Sequence, residues 1–270
     1  MNRLLRIVAA CAFVFSLTAA SNVARATDYA DLWWNPLEDR WGLQTSQQGN
    51  SMFITLYVFR ADRSATWFNG LMLATAPGGP TFTGDLFQAT GPYFGSPTYA
   101  PPGDNRAVGT VTFTATSPTT ATVTYSVDGV AVTKSVQRLT LASHNLSGTY
   151  IGSFLSVQHG CANPFSNGPF NGSGTFTITH NVGAQTVAIT AVLTDNLVNF
   201  TCTYQGNYSQ LGKIGSIVGT YNCTSGQAGA WNATEIEVST LGGILARYSA
   251  TNVAPSCQIT GGFGGLRPAL

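Results

Sequence analysis

Trp33-Trp34-Asn35-Pro36, then Trp41-Gly42 and Gln48-Gly49, bring together residue types suited to holding a flat ligand. Indole faces stack on sugar rings and other apolar surfaces, while the indole N–H and the amides of Asn35, Gln44, Gln47 and Gln48 supply directional hydrogen bonds. Four of the five tryptophans, Trp33, Trp34, Trp41 and Trp67, fall in the first quarter of the chain, so that chemistry is concentrated there. The Pro- and Gly-rich stretch from Gly91 to Asn105 adds Tyr93, Phe94 and Tyr99 on a long loop of the kind that often carries binding residues. The same residue types also build cores. Trp41-Gly42-Leu43 reads as a first strand entering one, with Trp41 plugging a barrel end, which leaves Trp33 and Trp34, ahead of that strand, as the foremost candidates to touch a ligand.

Catalytic chemistry finds less support. Beyond residue 26 the acidic residues are Glu38, Glu235, Glu237 and eight aspartates, the histidines are His144, His159 and His180, and none falls in a G-x-S-x-G, H-E-x-x-H or phosphate-loop pattern. Glu235 and Glu237 share strand parity, opposite Thr234, Ile236 and Val238, as on a solvated outer face. Asp85 lies mid-strand with no assigned partner. A hydrolase would have to draw on Glu38, Asp85, Glu235 and Glu237, with two of them converging in one cleft. His180 follows the inward parity of Phe176 and Ile178, as a buried, hydrogen-bonded histidine does, and His159 reads as a loop residue beside Cys161. With no C-x-x-C and no nearby His pair, neither a metal nor any cofactor is implied.

The first residues read as an export signal. Arg3 and Arg6 precede a short apolar run from Leu4 to Leu17, and Ala24-Arg25-Ala26 fits a small-x-small cleavage site, so cleavage is expected after Ala26 and the destination is secreted or periplasmic. No later stretch is apolar for the roughly 18 residues of a transmembrane helix. Loss of Arg3, Arg6 and Arg25 takes the basic count from 12 to 9 against 11 acidic residues, a net charge near −2. With no basic cluster, nucleic acid and anionic membrane are excluded as partners.

Cys11 leaves with the leader, and Cys161, Cys202, Cys223 and Cys257 remain for two disulfides in an oxidising compartment. Register selects one of the three connectivities. A two-residue hairpin loop at Gly212-Lys213, of type II′ with Gly first, sets Cys202 opposite Cys223 in a non-hydrogen-bonded pair, where Cα atoms lie about 4.5 Å apart. Cys161 and Cys257 then pair, tying the start of the second half to its end.

The elements that must position these residues are strands. Met52, Ile54, Leu56 and Val58 alternate with Phe53, Thr55, Tyr57 and Phe59, apolar on both faces, which predicts a strand covered on both sides. Val111, Phe113 and Ala115 alternate with threonines, as do Val123, Tyr125 and Val127 after a turn at Ser117-Pro118, and Asp128-Gly129 signals a hairpin into a strand from Val130. Beyond residue 142, Phe176, Ile178 and His180 form one inward row and Val187, Ile189, Ala191 and Leu193 the next. Strands every 8 to 12 residues, with no helical stripe, predict an all-β protein of two antiparallel meanders, each closing as a barrel or sandwich. The expected divisions are a leader at 1–26, a Trp-rich β domain at 27–142 and a disulfide-stapled β domain at 143–270.

Residues Leu32-Trp33-Trp34-Asn35-Pro36-Leu37-Glu38-Asp39-Arg40-Trp41-Gly42, Gln48-Gly49, Phe53-Ile54-Thr55, Gly91-Pro92 and Phe94-Gly95 carry a resemblance. The first half resembles an uncharacterised β-module of secreted proteobacterial proteins with a W-W-N-P…W-G…Q-G pattern. The resemblance implies export and an all-β module but no activity. Arg40 stands where the pattern carries a small residue, which counts against a tight turn there. The opening Leu146-Ser-Gly-Thr-Tyr150 is similar to the first strand of avidin-like or lipocalin-like barrels. The sequence thus predicts an exported, non-catalytic binding module for an extracellular glycan or an apolar small molecule, using Trp33, Trp34, Trp41, Trp67, Tyr93, Phe94 and Tyr99. The alternatives are the hydrolase above and a structural envelope-surface protein.

Overall fold

A computed structural model describes residues 26–97, 103–195, 198–253 and 256–268. The expected leader therefore lies, apart from Ala26, outside the described residues, as does Tyr99. The first eight strands are β1 (Asp31–Asn35), β2 (Glu38–Gln48), β3 (Ser51–Phe59), β4 (Ala65–Ala74), β5 (Thr81–Ala89), β6 (Asn105–Ala115), β7 (Thr120–Val127) and β8 (Val130–Arg138). Each pairs antiparallel with the next, and β8 pairs back with β1 to close a barrel. The second eight, β9 (Gly148–His159), β10 (Gly168–Asn181), β11 (Thr186–Asp195), β12 (Val198–Leu211), β13 (Ile214–Cys223), β14 (Ala228–Val238), β15 (Gly243–Asn252) and β16 (Cys257–Leu266), close likewise through β16 and β9. The one helical element among the described residues is a 3-10 turn, Pro164–Ser166.

Alternation decides what each barrel encloses, because successive side chains of a strand point to opposite faces. The first barrel is filled by medium-sized aliphatics and phenylalanines, among them Leu43, Met52, Ile54, Leu56, Met72, Phe82, Val111, Phe113 and Val123. Outward positions on β6, β7, β10 and β13 are rich in Thr, Ser and Asn. No helix among the described residues is long and apolar enough to cross a membrane.

One expectation about β3 needs correction. Met52, Ile54 and Leu56 are fully buried, but Phe53, Tyr57 and Phe59 stand exposed on the outside rather than under a second layer. A closed barrel is a single sheet with one interior, so a strand apolar on both faces leaves one of them in solvent.

The hairpins follow the expected turn chemistry. Asp128 and Gly129 both have positive φ (49° and 86°), as a type I′ Asp-Gly loop requires. At the β12–β13 turn Leu211 faces Ile214 around Gly212 (φ 61°), and the register carries Cys202 opposite Cys223. Both expected disulfides form, Cys202–Cys223 by register and Cys161–Cys257 as the remaining pair.

The β12–β13 hairpin tip also joins the barrels. Lys213 Nζ pairs with Asp28 Oδ2 at 2.6 Å, the Lys213 N–H donates to Asp31 Oδ2 at 3.3 Å, and the Gly212 N–H donates to Thr140 Oγ1 at 2.9 Å. Asp31 also holds the fully buried Arg138 at 2.8 Å. Burial acts against the Asp28 charge, yet the hydrogen bond and charge of Lys213, with the Ala30 N–H, outweigh it and hold that carboxyl below its usual range.

Candidate functional site

The tryptophan block resolves into a clasp between β1 and β2. Trp33 is only 1% exposed. It lies in β1 rather than ahead of the first strand, with its Nε1–H donating to Thr45 Oγ1 (3.0 Å) and Tyr29 O (3.2 Å), its ring edge-on to Phe113, and the Arg138 guanidinium 4.9 Å from its centroid. That burial removes Trp33 from contact with any ligand outside the core. Asn35 Oδ1 accepts from the Leu37 N–H, closing a turn around Pro36, and Asn35 Nδ2 donates to Glu38 Oε1. Glu38 Oε2 then accepts from Trp41 Nε1 (3.0 Å) and from Lys134 Nζ (2.5 Å), the ammonium lying 5.6 Å from the Trp41 ring. Trp41 is thus half-buried under Lys134 rather than sealed in the core.

Arg40 lies within β2 at a bulge, and the tight turn of this region is at Pro36-Leu37. The β1–β2 register shifts between Trp33 and Asn35, and Arg40 takes up the irregularity with φ of 71°, the left-handed region that a small residue would enter with less strain. Gly42 is needed where β1 crosses, since a Cβ there would lie 2.9 Å from Trp33 O. Nearly every element of the W-W-N-P…W-G run is accounted for by this local construction.

The remaining aromatic candidates spread over the outside of the first barrel. Trp34 is half-buried on the outer face of β1. Trp67 is 54% exposed on β4, opposite Tyr57, with Phe53 opposite Leu71 in the same outer stripe. Tyr93 and Phe94 are exposed and pack on each other, with ring centroids 4.7 Å apart. Two strands separate Trp34 from Trp67, so the sheet does not gather these rings into one concave site.

The carboxylates are equally dispersed. Glu38 belongs to the clasp, and Asp85 points outward from β5. In β14 a bulge between Thr234 and Glu237 puts Glu235 at φ 50°, where it meets Arg247 Nε (3.2 Å) and Thr27 Oγ1 (3.2 Å) instead of lying in one regular row with Glu237. His159 ends β9, exposed, rather than sitting in a loop. His180 is buried at the junction end of the second barrel, its Nδ1 accepting from the Leu146 N–H and its ring against Tyr208. Burial lowers its pKa, favouring the neutral ring. Among the described residues no three His, Cys, Asp or Glu are grouped to hold a metal.

The concave site lies elsewhere, inside the second barrel. A cavity of about 120 Å³ is enclosed by aromatic rings, chiefly Phe154, Phe176, Tyr204, Tyr221, Trp231 and Tyr248. Phe170, Phe200 and Gln227, partly exposed lining residues at the disulfide end, mark its mouth, and the Cys202–Cys223 bridge forms part of the wall. Inward positions in this barrel alternate large rings with Gly206, Gly219, Gly229, Ala233, Ala246 and Ala250, so the rings are not met by side chains filling the middle. Eight strands give an interior just wide enough either to fill with side chains or to hold one small ligand. The first barrel does the former.

The polar side chains of this cavity are phenols, one indole and, at the mouth, the Gln227 amide. Burial raises the Tyr204 and Tyr221 pKa values, and it pushes Tyr248 up to about 12 although a hydrogen bond with Ser156 opposes the shift. All three stay protonated at neutral pH. Tyr204 stacks on Tyr221 at 5.7 Å and meets Trp231 edge-on at 5.0 Å, which fixes the three rings as one wall. The sequence reading missed these residues. Their signal was the pairing of Tyr204, Tyr221 and Trp231 with inward glycines and alanines on neighbouring strands, which says that the interior is not filled. No protein-family profile matches the chain, and no curated protein is similar to it.

Proposed function

We propose that this is an exported, non-catalytic binding protein whose second barrel holds a small apolar molecule. The observation carrying this reading is the aromatic-walled cavity, lined by residues with no formal charge, in a barrel of the size that takes one small ligand. A free sugar would need many more hydrogen-bonding groups than this lining offers, which favours the apolar ligand over a glycan. Two disulfides near the mouth suit an oxidising compartment, in line with the leader read from residues 1–26. The first barrel, read as the exported module that the W-W-N-P pattern resembles, serves as a filled base to which the second is anchored.

Calorimetric titration of the full chain with indane tests this reading. Binding is expected, and Ala246→Phe, which adds a ring to the cavity wall, should weaken it at least tenfold, while a Trp34→Ala/Trp67→Ala double variant should bind as the parent does. Loss of binding in the double variant with full binding in Ala246→Phe would move the site to the outside of the first barrel.

A further inference from the structure

The strap between the barrels is fastened to the second one through a histidine ring. Residues 139–147 belong to no strand and run from the end of β8 to the start of β9. Leu146, in this strap, is 1% exposed, belongs to the core of the second barrel and lines its cavity at the junction end. Its carbonyl accepts from Tyr150 Oη (3.0 Å), and its N–H donates to His180 Nδ1 (3.3 Å). Beside it Ser147 Oγ accepts from the His180 N–H (2.9 Å). The β9–β10 ladder ends at Gly148 opposite Ile178, so one step further the Leu146 N–H meets an imidazole instead of a ladder carbonyl.

That substitution makes the bond depend on protonation. A neutral imidazole accepts at one nitrogen and donates at the other, whereas an imidazolium only donates. Accepting at Nδ1 puts the proton of neutral His180 on Nε2, which is buried and has no partner in the protein. A second proton would set N–H against N–H at Leu146 and place a charge on a side chain that is 6% exposed.

The surroundings offer that charge no counter-ion. The titratable and charged groups on the packed elements are Tyr208 of β12, its ring centroid 4.7 Å away, Tyr150 of β9, His144 of the strap and Arg267 after β16. Arg267, bonded to Tyr150 Oη and Ser147 O, is itself a cation, and Lys213 at the tip of the β12–β13 hairpin is paired with Asp28. On β11 the residue opposite His180 is Val187.

We infer that His180 is a pH-sensitive latch: neutral, it holds the strap with Leu146 inside the barrel end, and protonated, it releases the strap and opens that end.

Burial keeps the pKa of docked His180 below its ordinary 6.5, so the released state binds the proton more readily than the docked one. Docking is then fully present above about pH 6.5 and lost as the pH falls below it. The latch concerns the wall of the cavity and not its content, so it stands or falls separately from ligand binding.

Hydrogen exchange of the disulfide-bonded full chain at about pH 7.5 and about pH 5.0, expressed as protection factors, tests the latch. Protection of the Leu146 and His180 amides should fall at least about fivefold at the lower pH relative to that of Phe176 and Ala191, which pair in mid-ladder. In His180→Asn, whose side-chain oxygen accepts from the Leu146 N–H without titrating, the fall should vanish, and in His144→Gln it should persist. Imidazole nitrogen resonances of the parent give a reading that needs no variant: His180 should be the Nε2–H tautomer at the higher pH and titrate below 6.5 together with the loss of protection. Protection that does not change with pH, a fall that survives in His180→Asn or disappears in His144→Gln, or a neutral Nδ1–H tautomer would overturn the latch.

Discussion

Arg40 is held by its surroundings in a backbone conformation that suits glycine. Its φ of 71° follows from the register shift that lets Trp41 turn toward Glu38, and its own side chain is exposed beside Asp39, an ion pair that contributes little. In a regular strand, glycine is less stable than alanine because it loses more freedom on folding, whereas at positive φ the order reverses. Arg40→Gly should therefore be more stable than Arg40→Ala by about 1 kcal/mol in urea denaturation. The opposite order would mean that this residue does not hold the left-handed conformation. Arg40 sits in a strand bulge and not in a tight turn, and sequence shows the strain a residue would bear there but not whether the neighbouring clasp can enforce it. The same limit applied to Trp33. Its residue type suited a binding face and a core equally, and only the position of Thr45, Phe113 and Arg138 around its ring decides for the core.

At the scale of strands, period-two alternation and turn chemistry made the fold class and one disulfide register readable. The Gly212 turn and the parity of β12 and β13 were sufficient to place Cys202 against Cys223. What alternation could not show was how eight inward rows meet, because filling depends on the sum of side-chain volumes across a closed sheet and not on any one strand. Nor does a bulge announce itself: Glu235 and Glu237 have matching parity on paper, and the irregularity between Thr234 and Glu237 separates them. The two bridges differ in the chain they close, with separations of 96 residues for Cys161–Cys257 and 21 for Cys202–Cys223. Chain entropy then predicts that replacing the first pair by alanines destabilises the second barrel by about 4–5 kcal/mol and replacing the second by about 3 kcal/mol. Guanidinium denaturation of the two double variants measures the difference. Equal losses would show that the bridges act mainly through local packing at the mouth.

In the whole molecule, the cavity runs along the second barrel from Leu146 and Ile244 near the barrel junction to Cys223 and Gln227 at the opposite, disulfide end. Chain direction puts the hairpin tip 212–213 at the same end as His180, Tyr150 and the start of β9, while the disulfides and the partly exposed Phe170, Phe200 and Gln227 occupy the other. The junction should then be weakened without disturbing the mouth of the cavity, and Gly212 offers the means. A Cβ on Gly212 would lie 2.5 Å from Asp31 Oδ2 and 2.6 Å from Arg138 Cβ, both belonging to the first barrel. Gly49 provides a matched control, since it is the first residue of another two-residue hairpin loop, has nearly the same φ (58° against 61°), and has nothing within 4 Å of the position its Cβ would take. Gly49→Ala should cost only backbone strain, about 1 kcal/mol. Gly212→Ala carries that strain plus displacement of the tip from Asp31, and with it the Lys213–Asp28 pair. The expected outcome in hydrogen exchange is faster exchange at the amides of residues 28–31 and of Lys213 in Gly212→Ala but not in Gly49→Ala, with indane affinity unchanged in both. If Gly212→Ala also abolished binding, the cavity would depend on the first barrel, and the two barrels would have to be treated as a single site rather than as a base and a receptacle.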